Sequence, residues 1–416
     1  MTPSVPFAER WKIIMKKIIL APNPTGTGHN MRMLTIGKEI LCRSADTKLI
    51  VLLGSMQDVF KPLFESAGIE VIDLSPTGII DYSVSSHLER NLDWNTMIKN
   101  YFVPTFFNGD KILRYLDIFD KEKVDAIISD YNINASVAAI LSGTKNIFVT
   151  ERHNFTLVDV EEQDLIDGGF NVNTNEIGEA KRTLNNAFDW IMQNTDLIIT
   201  DKPYLKEMDS GKLIEKYFSS GKAHFVGPIY SARKAKKLEL EKYGVDPQKP
   251  YIVGTVSGTT MIKEDKEKNI KVYVDVYKEV KKQIEGLQLI LLGNISVPKT
   301  EGVHVIPYMP NWSSLIENSV LLVSHPGWIT VTEVSKLNIP TLFYLPNFME
   351  YHEVEAFRRL ECLGLPVFVG NNVKKFADKI IKVIKNKETM YKGYSVLAPE
   401  GDDGLDKAVT LIEACV

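Results

Sequence analysis

The sequence has few of the features that mark secreted, membrane-spanning or nucleic-acid-binding proteins. It contains three cysteines in 416 residues, Cys42, Cys362 and Cys415, and their spacing fits no metal site. No apolar run approaches the roughly 20 residues that a membrane span needs. A net charge of −4 gives no electrostatic reason to expect nucleic acid as a partner. We therefore expect a cytoplasmic protein with buried thiols.

Several catalytic motifs are also absent. The chain has no Asp-x-Asp motif, which metal-dependent sugar-nucleotide enzymes use to hold Mg²⁺ and diphosphate. It has no Walker loop, no Ser-His-Asp elbow and no Cys–His metal cluster. The sequence thus predicts no metal site and no bound cofactor.

The composition is that of a globular chain long enough for two domains, with 44% hydrophobic and 25% charged residues. Candidate strands alternate with helices, which predicts parallel sheets covered on both faces. The expected strands of a first series are Lys17–Pro22, Lys48–Leu53, Glu70–Leu74, Val124–Ser129, Asn146–Thr150, Asp196–Thr200 and Ala223–Val226. Those of a second series are Tyr251–Val256, Leu287–Leu292, Val303–Ile306, Val320–Val323, Thr341–Leu345 and Pro366–Val369.

These series divide the chain. Residues 1–14 precede a natural start of the fold at Met15 and read as an extension, or as an amphipathic helix docked through its apolar side chains. Residues 15–229 form the first expected domain, and the charged stretch 230–249 is the linker. Residues 250–390 form the second domain, and 391–416 are expected as a C-terminal helix that packs back on the first.

The most informative stretch lies in the second domain. The strand Leu321–Val323 runs into Ser324-His325-Pro326-Gly327, and a helix follows. A helix N-terminus at the carboxyl end of a strand is where open α/β sheets bind anionic ligands. Glu333 in that helix reads either as a cap that complements the helix dipole or as a ligand-binding carboxylate.

The same stretch resembles a known signature. It contains Pro310-Asn311, thirteen further residues, and then His325-x-Gly327-Trp328-x-Thr330-x-x-Glu333. Pro340, Pro346 and Tyr351-His352-x-x-Glu355-Ala356 follow in order. This pattern is similar to the donor-binding signature of sugar-nucleotide glycosyltransferases of families 1 and 28.

The resemblance implies a GT-B fold, in which two Rossmann-like doubly wound domains face a cleft. It also implies a donor site in the second domain. Tyr308, Met309 and Asn311 would read a uracil base, and Glu333 would bind the ribose. The diphosphate would be held by Ser257, Gly258, Thr259, His325, Gly327, Trp328 and Thr330. Tyr351 and His352, donor-sugar candidates, occupy positions where the family has Asp or Glu followed by Gln. Because of this difference, the resemblance does not identify the donor sugar.

The first domain offers a candidate base. The turn Thr25-Gly26-Thr27-Gly28-His29 follows the first strand and is similar to the Gly-x-Gly-His turn of the same families. The strand Val124–Ser129 delivers Asp130 to the same sheet edge, where it could orient His29. The alternatives are an ordinary loop histidine and an N-cap aspartate for the next helix.

Two further stretches bear on the acceptor. Thr150-Glu151-Arg152-His153-Asn154 resembles an acceptor-side loop of family 28 one residue out of register, so Gly28, Glu151, His153 and Asn154 are acceptor-side candidates. The Glu151–Arg152 pair also reads as an exposed ion pair. Residues 79–119 are densely apolar. One interpretation is a patch that binds a lipid acceptor, which would allow a peripheral position at the cytoplasmic face of a membrane. The other is a helix that covers the sheet.

These observations predict an inverting, metal-independent transfer of a sugar from a nucleoside diphosphate donor to a hydroxyl acceptor. Two alternatives remain from other classes. One is a non-hydrolysing sugar-nucleotide 2-epimerase, which shares the fold and donor but needs no acceptor. The other is a donor-binding module without independent activity.

Overall fold

The computed structural model describes residues 15–24, 27–74, 103–155, 161–167, 171–231, 238–255, 263–307, 312–346, 353–401 and 403–416. Within these ranges the first sheet has seven parallel strands in the order β3-β2-β1-β4-β5-β6-β7. Its strands are β1 Lys16–Pro22, β2 Thr47–Leu53, β3 Glu70–Asp73, β4 Ala126–Asp130, β5 Lys145–Val149, β6 Leu197–Thr200 and β7 Ala223–Phe225.

The second sheet is also parallel. In the described part of the chain its order is β10-β9-β8-β11-β12-β13. The strands are β8 Tyr251–Thr255, β9 Gln288–Leu292, β10 Val303–Ile306, β11 Leu321–Ser324, β12 Thr341–Leu345 and β13 Val367–Val369. All thirteen expected strands are therefore present, with ends shifted by at most a few residues.

The helices cover both faces of each sheet. Those of the first half are α1 Thr27–Arg43, α2 Lys61–Ser66, α3 Val103–Phe106, α4 Gly109–Glu122, α5 Ile133–Ser142, α6 Glu162–Asp167, α7 Thr174–Asn194, α8 Lys206–Asp209 and α9 Leu213–Ser219. Those of the second half are α10 Lys263–Lys281, α11 Ser313–Glu317, α12 Trp328–Lys336, α13 Glu353–Cys362, α14 Val373–Lys385, α15 Glu388–Leu397 and α16 Gly404–Cys415. Short 3-10 helices lie at Ser55–Phe60 and Leu240–Tyr243.

Strand alternation explains the layering of the first domain. Ile18 and Leu20 of β1 pack with α1 on one face of the sheet. Ile19 and Ala21 point to the other face, where α4 and α5 pack. Because successive side chains of a strand face opposite ways, a strand that is apolar throughout requires cover on both sides. The doubly wound fold class expected from the sequence is thus confirmed.

The apolar stretch 79–119 is described only from residue 103 onward. There Phe106 packs edge-to-face on Tyr131 and Phe155 in the domain core. Tyr115, Ile118 and Phe119 of α4 are buried against the sheet. In its described part the stretch is therefore a sheet-covering element. Across all described residues, no helix is long and apolar enough to cross a membrane.

The C-terminal segment differs from the single helix expected over 391–416. It forms two helices with separate attachments. Tyr394 of α15 is buried in the second domain, where its hydroxyl donates to the Ile339 carbonyl at 2.8 Å. Leu405 and Ile412 of α16 are buried in the core of the first domain beside α1. Arg43 of α1 bonds Asp406 at 2.8 Å, so α16 belongs spatially to the first domain.

Candidate functional site

In each sheet, successive strands are added first toward one edge and then, from a central pair of strands, toward the other edge. In the first sheet this point lies between β1 and β4, and in the second between β8 and β11. Ligands of open α/β sheets bind outside the carboxyl ends of the strands at such a switch point. Four segments therefore bound the candidate site: those following β1, β4, β8 and β11.

The ends of β1 and β4 are tied together by three hydrogen bonds. Asn23 N donates to the Asp130 carbonyl at 2.9 Å, and its side chain donates to the Tyr131 carbonyl at 3.0 Å. The Asn132 amide donates to the Pro22 carbonyl at 3.1 Å. Tyr131 has a φ of 49°, a left-handed conformation that costs a non-glycine residue on the order of 1–3 kcal/mol. These bonds hold the strained turn that fixes the Asp130 side chain.

The structure brings His29 and Asp130 together. His29 lies in the first turn of α1, and its Nδ1 is 2.8 Å from Asp130 Oδ1. Asp130 is fully buried, whereas the His29 side chain keeps 15% of its surface exposed. The N-cap of α5 is Asn132, which accepts from Ala135 N at 3.2 Å, so Asp130 is not the cap.

A buried arginine completes this group. Arg32 Nε and Nη2 bond the two oxygens of Asp130 at 2.8 and 2.6 Å. Burial raises the pKa of Asp130, but the Arg32 guanidinium and His29 lower it more, and the net shift is downward. Asp130 is therefore ionised at neutral pH.

The first domain places two more carboxylates around the same guanidinium. Arg32 Nη1 lies 2.8 Å from Asp201 Oδ2 and 3.8 Å from Glu151 Oε2. Burial, together with the neighbouring Glu151 and Asp130, raises the pKa of Asp201. Glu151 is 8% exposed and contacts Arg152 at 3.4 Å, so the pair is not a surface ion pair.

The second domain presents the segment from His325 to Glu333. Gly327 is exposed, and His325, Thr330 and Glu333 are half-buried at the start of α12. Glu333 lies beyond the first turn of the helix, which rules out the capping interpretation. Its Oε2 accepts a hydrogen bond from Trp312 Nε1 at 3.1 Å, which ties the carboxylate to the residue directly before α11.

The two halves of the site touch. A Cβ on Gly28 would lie 2.5 Å from Ile329 Cδ1, so the turn before His29 packs directly on α12. Trp328 is 7% exposed, and its Nε1 donates to the Asp201 carbonyl at 3.4 Å. Lys202 Nζ lies 4.7 Å from the centre of the Trp328 ring. Trp328, a predicted donor-site residue, thus contacts the first domain.

A buried ion cluster next to these contacts also joins the domains. Lys202 Nζ lies 3.2 Å from Glu355 Oε2, and burial lowers the pKa of Lys202 to about 8. Arg359, which has no exposed surface, bonds Asp209 at 2.6 and 3.0 Å and Glu355 at 2.7 Å. We define Lys202, Asp209, Glu355 and Arg359 as the interface cluster.

His153 and Asn154, expected on the acceptor side, lie inside the first domain. His153 is 2% exposed, and its Nδ1 is 2.9 Å from Asp209 Oδ1. Burial lowers the pKa of His153 to about 4. Asn154 Oδ1 accepts from Leu213 N at 2.9 Å. These internal contacts argue against acceptor roles for His153 and Asn154. Glu151, in contrast, lies beside Arg32, which bonds Asp130.

Other expected donor residues lie outside the described residues. They are Ser257, Gly258 and Thr259 after β8, Tyr308, Met309 and Asn311 before α11, and Tyr351 and His352 before α13. Within the described ranges, no group of three or more His, Cys, Asp or Glu side chains is arranged to hold a metal ion.

Five residues of the site and of the interface cluster were not predicted from the sequence: Arg32, Asp201, Lys202, Asp209 and Arg359. The position of Arg32 beside His29 could have been predicted from the sequence. It follows His29 by three residues, which places both side chains on one face of α1, and its neighbours Met31 and Met33 are apolar. Asp201 and Lys202 directly follow β6, so they extend the row of polar residues at the carboxyl edge of the sheet.

Known structures share this architecture. CalG4, the calicheamicin glycosyltransferase, is 14% identical with a TM-score of 0.64, over 96% of this chain and 98% of that one. Arabidopsis thaliana UGT89C1, solved with UDP, is 13% identical with a TM-score of 0.63, over 96% and 100%. A protein assigned as a UDP-N-acetylglucosamine 2-epimerase from Listeria monocytogenes is 12% identical with a TM-score of 0.61, over 96% of both chains.

No protein-family model and no curated protein matches the sequence. At these identities the structural matches establish the fold alone. The chain has two parallel sheets flanked by helices, and it has the GT-B architecture of two Rossmann-like domains.

Proposed function

We propose that the protein transfers a sugar from a nucleoside diphosphate donor, uridine-based, to a hydroxyl acceptor with inversion. The observation that carries the proposal is the His29–Asp130 pair at the switch point of the first sheet, with Gly28 packed on the first turn of α12. In the proposed site, His29 acts as the base and the N-terminus of α12 binds the diphosphate across this contact. The UDP bound to UGT89C1 supports the same donor class.

In the proposed reaction, His29 Nε2 accepts the proton of the acceptor hydroxyl. The hydroxyl oxygen attacks the anomeric carbon from the side opposite the diphosphate, and the bond between that carbon and the diphosphate oxygen breaks with its electron pair. Asp130 holds Nδ1–H, which fixes the tautomer and stabilises the imidazolium. The N–H groups at the start of α12, with His325 and Thr330, meet the charge on the leaving diphosphate.

Substitution of His29 tests the base. General-base assistance is worth about 10² to 10⁴ in rate. We expect His29→Ala to lower kcat by that order and leave the Kd of UDP within twofold, because the donor is bound by the second domain. His224 on the edge strand β7 provides the control His224→Gln, for which we expect wild-type kcat.

The assay measures UDP release from UDP-glucose, UDP-galactose and UDP-N-acetylglucosamine with phenolic, sugar and diacylglycerol acceptors. Wild-type turnover in His29→Ala would refute the base. Thermal shift with UDP tests the donor site separately, because ligand at a hundred times its Kd adds about 2.7 kcal/mol of stability. A folded protein that gives no shift with any of several nucleotides would refute the donor class; binding without turnover would favour a donor-binding module.

We propose that transfer is independent of metal ions. The sequence has no Asp-x-Asp motif, and the helix dipole and side chains at α12 would stabilise the leaving group. We expect full activity in excess EDTA. Loss of activity on chelation, restored by Mg²⁺, would contradict this.

A second candidate is 2-epimerisation of the donor sugar. Asp130, Glu151 and Asp201 converge on Arg32 beside His29, which is a group able to remove and return a carbon-bound proton. The match to the Listeria protein adds to this. NMR of UDP-N-acetylglucosamine incubated in D₂O without acceptor tests this candidate: deuterium at carbon 2 and the second epimer indicate epimerisation, and an unchanged donor argues against it.

A further inference from the structure

Arg32 contacts three carboxylates of the first domain, those of Asp130, Glu151 and Asp201. It is 2% exposed and lies one turn after His29 on α1. Its Nε–Nη2 edge meets both oxygens of Asp130 in a bidentate pair, at 2.8 and 2.6 Å. Such a pair fixes the plane of the carboxylate as well as its position.

The fixed carboxylate determines where the imidazole is held. Asp130 Oδ1 accepts from Arg32 Nη2 and lies 2.8 Å from His29 Nδ1, so one oxygen serves both groups. Arg32 Nη2 is itself 3.4 Å from Nδ1. An ionised Asp130 carboxylate can only accept a hydrogen bond, so this contact requires a proton on His29 Nδ1, and a neutral imidazole then offers its Nε2 lone pair to a substrate.

The other edge of Arg32 is anchored across the sheet. Its Nη1 bonds Asp201 Oδ2 at 2.8 Å at the end of β6, two strands away from β4. Among the described residues, the second oxygen of Asp201 has no hydrogen-bond partner. The guanidinium is therefore held from both sides, and it cannot rotate away from Asp130 without leaving Asp201 unpaired.

We infer that Arg32 is a positioning residue that acts through Asp130, locking the carboxylate that holds His29 in its Nε2-accepting orientation. The kinetic part of this inference rests on the proposed transferase function. The placement of the imidazole does not, because it is a property of the free protein.

The test uses Arg32→Gln and Arg32→Lys in the full chain. Lysine keeps the charge but bonds one oxygen only. NMR of protein with ¹⁵N-labelled histidine reports the Nδ1-bound proton of His29, assigned by its loss in His29→Gln. We expect a protected, downfield signal in the wild type that shifts or broadens in both variants. If Arg32→Gln does not fold, Arg32→Lys alone decides.

In the kinetic arm we expect kcat to fall roughly 10- to 100-fold in both variants, with donor KM within twofold, because a misplaced base slows the chemical step only. Asp201→Asn keeps the bidentate pair and should give a smaller loss in the same direction. A folded variant with an unchanged His29 signal would overturn the inference. Altered signals in a protein without transferase activity would instead refute the proposed function and leave the positioning role intact.

Discussion

Removal of Arg359 tests whether the interface cluster holds the two domains together. Arg359→Met keeps the length of the side chain but removes the charge and the hydrogen bonds to Asp209, Glu355 and the Pro203 carbonyl. Glu355 retains Lys202. Asp209 is left buried, and its remaining partners are the Leu205 amide at 2.8 Å, His153 Nδ1 at 2.9 Å and Lys212 Nζ at 3.8 Å.

The size of the effect follows from the loss of the short Arg359–Asp209 pair, and it is moderated by Lys212, whose Nζ stays 3.8 Å from Asp209. Removing one partner of a buried ion pair destabilises a protein by about 3–5 kcal/mol. We expect a loss of that order in the free energy of unfolding, measured in urea by circular dichroism and tryptophan fluorescence. Arg358 is the exposed neighbour on α13, and Arg358→Met should change stability by no more than about 0.5 kcal/mol.

The double variant isolates the pair. Asp209→Asn removes the charge that Arg359→Met leaves behind. The losses in unfolding free energy of the two single variants, added together, should therefore exceed the loss of the double variant by at least about 1 kcal/mol. If Arg359→Met and Arg358→Met were equally stable, the cluster would contribute nothing to the association of the domains, and the reasoning would be wrong.

Two further substitutions probe the donor site and the contact between the domains. Glu333→Ala should raise donor KM with kcat nearly unchanged, because ribose contacts are equal in ground and transition states; unchanged donor affinity by calorimetry would refute a ribose role. Gly28→Ala should lower kcat, since its Cβ would clash with Ile329 Cδ1 at 2.5 Å. Ile329→Val removes that atom and should restore part of the loss; failure of this rescue would show that the contact does not set the domain approach.

The sequence was sufficient for the architecture because each strand is a short apolar run between turn residues. Strand order was not readable, since it depends on which neighbours pair across the sheet. Nevertheless, the meeting of His29 and Asp130 could be anticipated because both follow buried strands, and the structure places β1 beside β4.

The roles of single side chains were less readable, since they depend on contacts distant in the chain. Trp328 and Arg359 are joined to residues more than 100 positions earlier, and nothing near them in the sequence indicates that. His153 was predicted on the acceptor side because it follows a strand end, yet it is buried beside Asp209 of α8. Glu333 looked like a first-turn residue because the helix start could not be placed to within one turn.

The return of α16 to the first domain affects how the protein is made. The core beside α1 includes Leu405, Val409 and Ile412, so this domain cannot be completed until α16 has been synthesised. Roughly 180 residues separate β7 from α16, and a ribosome adds about 5–20 residues per second, so the partly built domain waits about 10 to 40 s. The first domain to be translated is thus the last to finish folding, and during that interval its α1 surface is available to chaperones.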